Sequence, residues 1–453
     1  MKLVKRFMAV SLCAAMSVSL AACGSSASSD KTTAAGSDTA ATTAAGSASS
    51  DGSYENCELT FSWWGGDSRH TATIAAVEAF EAKYPGITVS YNYGAWSDWE
   101  TAMATQFSSG SAPDVNQINW NWIDSYSSDG SLFLDLNTVS DTLDLTQYPE
   151  DKLALCKVGD SLQAVPVSMT GRIFYWNKTT FDKAGISVPT SNEELLAAGN
   201  TFKTVLGDDY YPLAIGEYDR IILMVYYLES KYGVEWITDG KLNYTKDQII
   251  EGLDYISSLE DNHVIPTIAT ITGDGADSLD KDEKWINGNY AGIFEWDSSA
   301  SKYQSALAEG QEFVVGDYFK DWGEYQGGFT KVSLAFAITN TCKHTHEAAM
   351  LLNYLLNDDE GTAIMASERG IPLSAAALAN CTSKGLLDAT VAEANAKILS
   401  WCQFSLDPKF EDSSLKSSDG AYYDAVSGLS YDEYTSDQAA DVLINGINAA
   451  YGN

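Results

Sequence analysis

Residues 58 to 93 read ELTFSWWGGDSRHTATIAAVEAFEAKYPGITVSYNY. The opening ELTFSWW is an apolar, aromatic run that ends at Gly65-Gly66, the pattern of a strand entering a turn. From residue 71 to residue 84 the period changes. Ile74, Val77, Phe80 and Tyr84 recur at three- and four-residue steps, which puts them on one face of a helix, and Pro85-Gly86 stops it. Residues 87 to 93 alternate as a second strand. Residues 99 to 107 carry a second helical pattern, and Pro113-Asp114-Val115-Asn116-Gln117-Ile118 begins a third strand. Strand, helix, strand, helix, strand predicts an α/β fold with a parallel sheet and crossover helices.

The pattern continues downstream. Residues 162 to 176 read as extended, followed by a helix over 178 to 184 that Gly185 ends. Helices are expected over 192 to 205, 246 to 259 and 346 to 356, and short strands over 212 to 215, 290 to 296 and 332 to 339. The tail from Ala375 onward reads as mostly helical, and no internal repeat is visible. About 400 residues follow Tyr54, enough for a large core and two domains.

The first residues read as an address. Lys2, Lys5 and Arg6 form a basic head, and the 16 residues from 7 to 22 form a mostly apolar stretch. That length suits a signal peptide (1–22) better than a membrane span. Leu20-Ala21-Ala22-Cys23 resembles a bacterial lipobox, so Cys23 is expected to carry lipid and hold the protein outside the cytoplasm on the cell membrane. Residues 24 to 53 are almost entirely Gly, Ser, Ala and Thr, which cannot bury enough apolar surface to fold. The segment 23–54 is therefore read as a lipidated cysteine and a flexible leash of about 30 Å.

The composition is strongly acidic: 27 Lys and Arg oppose 62 Asp and Glu, for a formal charge of −35. Loss of the signal removes three cations and no acids, taking −35 to −38. Such a charge disfavours nucleic acid and polyanionic partners. Cys57, Cys156, Cys342, Cys381 and Cys402 remain after the leader, an odd number with no CxxC or zinc-type spacing, so pairing is left open. The four histidines, 70, 263, 344 and 346, form no expected metal cluster, and no metal or cofactor is expected. No GxSxG elbow, HExxH, P-loop or dinucleotide fingerprint appears. A cell-surface glycosidase is the rival enzyme reading, resting only on abundant carboxylates. A peptide or other non-sugar binder is the third.

Several segments in order resemble the family 1 solute-binding proteins of ABC importers, the group that includes maltose-binding protein. They are FSWWGGDSRHTATIAAVEAFEAKYPGITV, GSAPDVNQI, AVPVSMTGRIFYWNKTTFDKAGI, WINGNYAGIFEWDS, LAFAITNTCKHTHEAAMLLNYLLNDDEGTAIMASERGIPL and SDQAADVLINGINA. In the third, Trp176 stands where the family more often has Tyr. The resemblance implies a periplasmic-binding-protein fold whose two lobes, each a sheet flanked by helices, close on a ligand. By position one lobe is 55–166 with 330–371 and the other 167–329 with 372–453, with hinge crossings near 165–168, 329–331 and 371–373. It also implies a non-enzymatic, monomeric binder that hands a carbohydrate, expected to be an oligosaccharide, to membrane permease subunits.

Sugars present apolar C–H faces to aromatic rings and hydroxyls to fixed polar groups, and ligands of open α/β sheets sit at the carboxyl ends of strands. At the first strand end, Trp64 is expected to face the cleft while Trp63 is core, with Asp67 accepting hydroxyl protons. Trp96 follows the second strand, and Gln117, Asn119, Trp120 and Asn121 the third. In the other lobe the candidates are Arg172, Tyr175, Tyr218, Asp219, Glu295, Trp296 and Asp297. In the family an aromatic at the place of Trp296 commonly stacks on sugar. Gly328 and Phe329 precede a hinge strand, and Arg369 stands before Gly370-Ile371-Pro372.

Overall fold

β1 (Cys57–Trp64) pairs in parallel with β2 (Ile87–Gly94) along its whole length, from Cys57 opposite Ile87 to Trp64 opposite Gly94. On its other side it meets β3 (Val115–Ile118), also in parallel, with Phe61 opposite Val115. α1 (Asp67–Lys83) and α2 (Trp99–Ser109) supply the crossovers, α1 burying Thr73, Ala76, Val77 and Phe80. This is a computed structural model, and it describes residues 54–453 apart from Asp98, Asp239 and Asn453. The expected signal peptide, Cys23 and most of the expected leash lie outside the described residues.

Two strands from far along the chain complete the first sheet. Ala335–Ile338 runs antiparallel to β3, and Val165–Pro166 runs antiparallel to Ala335–Ile338. The second sheet is antiparallel: Arg172–Asn177 lies between Gly292–Trp296 and Phe313–Val315. In the two larger sheets the parallel arrangement expected from the opening segment is confined to β1–β3. A third, small sheet places Phe329–Val332 between Phe404–Ser405 and Met169–Thr170. Two of its strands lie where the chain passes between the two larger sheets, at 166–172 and again at 329–335.

Each sheet carries its own aromatic core. Fully buried Phe61 and Trp63 sit under the first, Trp63 stacking on Tyr93 with ring centroids 5.2 Å apart. In the second, Phe174 stacks between Trp176 at 5.2 Å and Phe319 at 4.7 Å. Such offset pairs contribute roughly 1 kcal/mol each beyond the area they bury.

Three expectations fail locally. Residues 212 to 215 form no strand; they are tied by single bonds from Leu213 N to Val264 O and from Ala214 N to Gly292 O. Residues 217 to 220, which carry the candidates Tyr218 and Asp219 and for which no helix is expected, begin the helix Glu217–Tyr232, buried without a break from Arg220 to Tyr226. The strand expected over 332 to 339 is two strands, because Ser333 and Leu334 carry the chain from the small sheet to the first sheet. The tail helix Ala375–Lys384 packs on Asp359–Met365, Asn380 Nδ2 donating to Asp359 O at 2.8 Å. All five described cysteines are free, and no described helix is long and apolar enough to cross a membrane.

Candidate ligand-binding site

The polypeptide leaves β3 through Asn119, Trp120 and Asn121 before α3 (Trp122–Ser127). Two amides at that strand end reach one acidic residue almost 300 positions away. Asn119 Nδ2 donates to Glu411 Oε2 at 3.0 Å, and Asn121 Nδ2 donates to the Glu411 backbone oxygen at 3.0 Å. From the hinge strand Phe329–Val332, Lys331 places Nζ 2.6 and 2.7 Å from the two Glu411 carboxylate oxygens. From the first turn of Glu217–Tyr232, Tyr218 donates its hydroxyl to Glu411 Oε1 at 3.1 Å. One carboxylate thus joins the end of β3, the hinge and the second lobe.

Trp296 extends the cluster. Its ring centroid lies 4.6 Å from Lys331 Nζ and 4.7 Å from the Arg172 guanidinium carbon, both within cation–π range. Arg172 begins the central strand of the second sheet. It donates to Asp219 Oδ1 at 2.5 Å and to Phe294 O at 2.6 Å, with Glu295 Oε1 at 3.6 Å. On the facing side Trp96, 41% exposed, packs against Trp64 at 5.0 Å and Trp122 at 6.2 Å. Lys416 Nζ sits 5.3 Å above the Trp96 ring and 3.5 Å from Glu100.

The charges are under tension. Burial would raise the Glu411 carboxyl, but Lys331 and then Lys416 outweigh it and hold it down to about 2. Lys331 shifts the other way: burial pushes its ammonium down to about 8 despite Glu411, and Lys416 and Arg172 add repulsion. The two shifts differ because Glu411 faces two cations while Lys331 faces one acid and two cations. At neutral pH the pair is ionised, with Lys331 the less compensated partner. Arg172 is opposed by burial, yet Glu295 and Asp219 keep it firmly protonated.

Three buried polar atoms here have no protein partner: Trp120 Nε1, Asn121 Oδ1 and Arg172 Nε. Such atoms cost roughly 1–3 kcal/mol each unless a hydroxyl or water meets them. Together the site offers indole faces, two donors, one acceptor and incompletely compensated cations. That set suits a polyhydroxylated ligand with negative charge.

Of the residues singled out in the sequence, Arg172, Tyr218, Asp219, Glu295 and Trp296 meet one another, Tyr218 and Asn121 share Glu411, and Trp64 and Trp96 pack together. Trp64 faces Trp96 and Trp122, whereas Trp63 is fully buried and donates Nε1 to His70. Asp67 stands exposed in the first turn of α1, where a carboxylate suits the helix dipole.

Six other candidates take part in internal contacts. Gln117 spends both ends internally, donating to Trp64 O at 3.1 Å and accepting from Arg369 Nε at 2.8 Å. Arg369 also donates to Thr73 and is fully enclosed within the first lobe's packing, where burial and Arg69 lower its pKa. Tyr175 is a core residue stacked on Phe313 at 5.1 Å. Asp297, fully buried, accepts from Thr170, Asn395 and Ser298 N. Gly328 has a φ of 89°, and an added Cβ would sit 2.4 Å from Tyr226, so it serves helix packing. Phe329, 1% exposed, lies behind Trp296 against Tyr226 and Phe410.

Lys331, Glu411 and Lys416 were not anticipated. One signal existed: in GGFTKVSLAF (327–336) a single lysine interrupts an apolar hinge strand, and a charge there requires a buried partner.

The family described as bacterial extracellular solute-binding protein matches residues 66–362. A periplasmic oligogalacturonide binding protein from Yersinia enterocolitica, solved in complex with saturated digalacturonic acid, is 33% identical, with a TM-score of 0.82 over 87% of this chain and 98% of that one. A periplasmic solute binding protein from Pectobacterium atrosepticum is 32% identical, with a TM-score of 0.82 over 87% of this chain and 99% of that one. A binding protein of Brucella abortus is 25% identical over 217 residues, 46% of this chain. The chain spans about half the length of the curated relatives it matches, 51% of each. The two-sheet architecture, its hinge strands and a match covering most of the folded body lead to one assignment: the chain belongs to the bacterial extracellular solute-binding proteins of ABC transporters, family 1.

Proposed function

We propose that this protein captures an acidic oligosaccharide, of uronate type, between its two lobes and delivers it to the permease of an ABC importer. The observation that carries the reading is the cluster at the lobe boundary: Trp296 flanked by Lys331 and Arg172, beside the unpartnered Trp120 Nε1, Asn121 Oδ1 and Arg172 Nε. Rings stack on pyranose faces, orphan polar atoms meet hydroxyls, and Lys331 gains from a ligand carboxylate. The likeness to an oligogalacturonide binder supports the same ligand class.

This reading departs from the expectation drawn from net charge. The −35 total is spread over the whole chain, and charges beyond about 8 Å are screened at physiological salt. A carboxylate entering the site meets Lys331 and Arg172 at short range.

Ligand closes the lobes because it touches both, so its preference for the closed form shifts the population. The lobes are residues 55–166 with 330–371 and residues 167–329 with 372–453, the helix Ala375–Lys384 riding on the first. The bending strands are Met169–Thr170, Phe329–Val332 and Phe404–Ser405. Lipid on Cys23 and the leash 24–53 keep the body, as a monomer, near its permease. The test is calorimetry against an oligosaccharide panel with mass spectrometry of the recovered sugar. Binding with intact ligand supports the reading; cleavage of any glycan, or binding of peptides instead, overturns it.

A further inference from the structure

At the start of the described chain, far in sequence from the cluster around Glu411, Cys57 opens β1 beside the loop 342–344, which leads into the helix Thr345–Leu356. We propose that Cys57, His344 and Glu347 form a binding site for a zinc-type divalent cation. Their ligand atoms, one thiol sulfur, one ring nitrogen and one carboxylate oxygen, all lie within 4.8 Å of one another. Ligands around a tetrahedral zinc, at bonds of about 2.0–2.3 Å, stand about 3.3–3.8 Å apart, so a contraction of about 1 Å closes the set. The expectation that no histidine–carboxylate cluster exists fails here, since His344 precedes its helix and His346 turns instead to Thr142.

Local charge favours a cation. Glu347 is 4% exposed, and its Oε1 accepts from Glu55 N at 2.7 Å. Glu55 Oε2 lies 3.9 Å from His344 Nδ1. Among the described residues no lysine or arginine forms an ion pair with Glu55, Asp114 or Glu347. Glu347 is the buried carboxylate of the group, while Glu55 is exposed, and a buried carboxylate needs a counter-charge or hydrogen bonds. The Cys57 thiol responds to the same surroundings: burial, then Glu347, Asp114 and Glu55, push it up to about 11.

The donor set selects the metal class. A thiolate with an imidazole suits zinc-like ions and not calcium or magnesium, which take oxygen ligands. Cys342, buried two residues before His344, lies outside this three-donor set. His344 is the helix N-cap residue but makes no side-chain capping bond. A bound ion would fasten the start of β1 to the helix Thr345–Leu356.

The test uses the mature chain made soluble by Cys23→Ser, reduced, with zinc chloride titrated against a chromophoric chelator. The expected result is one zinc per chain. His344→Ala and Cys57→Ser should each lose at least tenfold in affinity, and bound cobalt should give a thiolate charge-transfer band that Cys57→Ser abolishes. If Cys57→Ser does not fold, His344→Ala and Glu347→Gln carry the same comparison. Substoichiometric zinc, zinc held equally by His344→Ala, or a Cys57–Cys342 disulfide in the protein as isolated would each overturn the site.

Discussion

Replacing Lys331 by methionine (Lys331→Met) removes one partner of the buried pair with Glu411 and keeps the side-chain bulk. The two residues are 6% and 2% exposed, and Nζ contacts both carboxylate oxygens. The variant leaves Glu411 with donors from Asn119 and Tyr218 but no close cation, Lys416 acting only from farther off. Removing one partner of a buried pair costs about 3–5 kcal/mol, whereas replacing both by apolar residues is often near neutral. Unfolding entropy of about 2.1 cal/mol/K per residue over about 400 residues is roughly 0.8 kcal/mol/K, so Tm should fall by about 4–6 °C at pH 7. The double variant Lys331→Met/Glu411→Leu should recover most of that loss.

The pH dependence follows from the sign of each shift. With Lys331 present, the Glu411 pKa of about 2 lies below its unfolded value of 4.5. Its stabilisation is complete above the unfolded value and is lost as pH falls toward 2. Without Lys331, burial raises the carboxyl instead, so the variant is penalised as pH rises. The gap between parent and variant should therefore narrow between pH 7 and pH 4. Thermal melts of the parent, both single variants and the double variant at each pH measure it. A single-variant loss below about 1 kcal/mol at pH 7, or a double variant as damaged as the sum of the singles, would refute the reasoning.

Trp296→Ala should weaken oligosaccharide binding at least tenfold in calorimetry, since a stacked indole contributes on the order of 2 kcal/mol; a change within twofold would remove Trp296 from the site. Tyr175→Phe deletes a buried hydroxyl that has no partner, so Tm should hold or rise while affinity stays constant; a loss of affinity would return Tyr175 to the site. Burial raises Glu229 from 4.5 to about 8, against help from the backbone N–H groups of Trp236 and Gly328. Its contribution to stability is therefore full below pH 4.5 and lost as pH climbs toward 8, and Glu229→Gln should flatten that decline in melting curves. Cys23→Ala should release the protein from membranes and impair uptake by cells without altering solution affinity, as fractionation and calorimetry would report.

The fold was legible where local periodicity and global packing agree. The 3.6-residue stripe of Ile74, Val77 and Phe80 and the alternation after Pro85-Gly86 led directly to β1, α1 and β2. The helix Glu217–Tyr232 was missed because its segment IILMVYY is apolar all round, and a fully buried helix leaves no stripe to read. Residues 332 to 339 looked like one strand because nothing local marks the change of sheet at Ser333-Leu334. At the site, aromatic and amide side chains at strand ends could be read, but not which of them the protein uses internally. Gln117 and Asn121 are alike in sequence, yet one is consumed by Arg369 and Trp64 while the other keeps a free acceptor. The pairing of Lys331 with Glu411 spans 80 positions and has no local signature.

The central claim is tested most directly by titrating the mature protein, at fixed pH and salt, with a digalacturonate and with the neutral digalactoside of the same linkage. The account predicts that the acidic disaccharide binds at least tenfold more tightly and that Lys331→Met erases most of the difference. Equal affinity for the two sugars, or no binding of either, would contradict it.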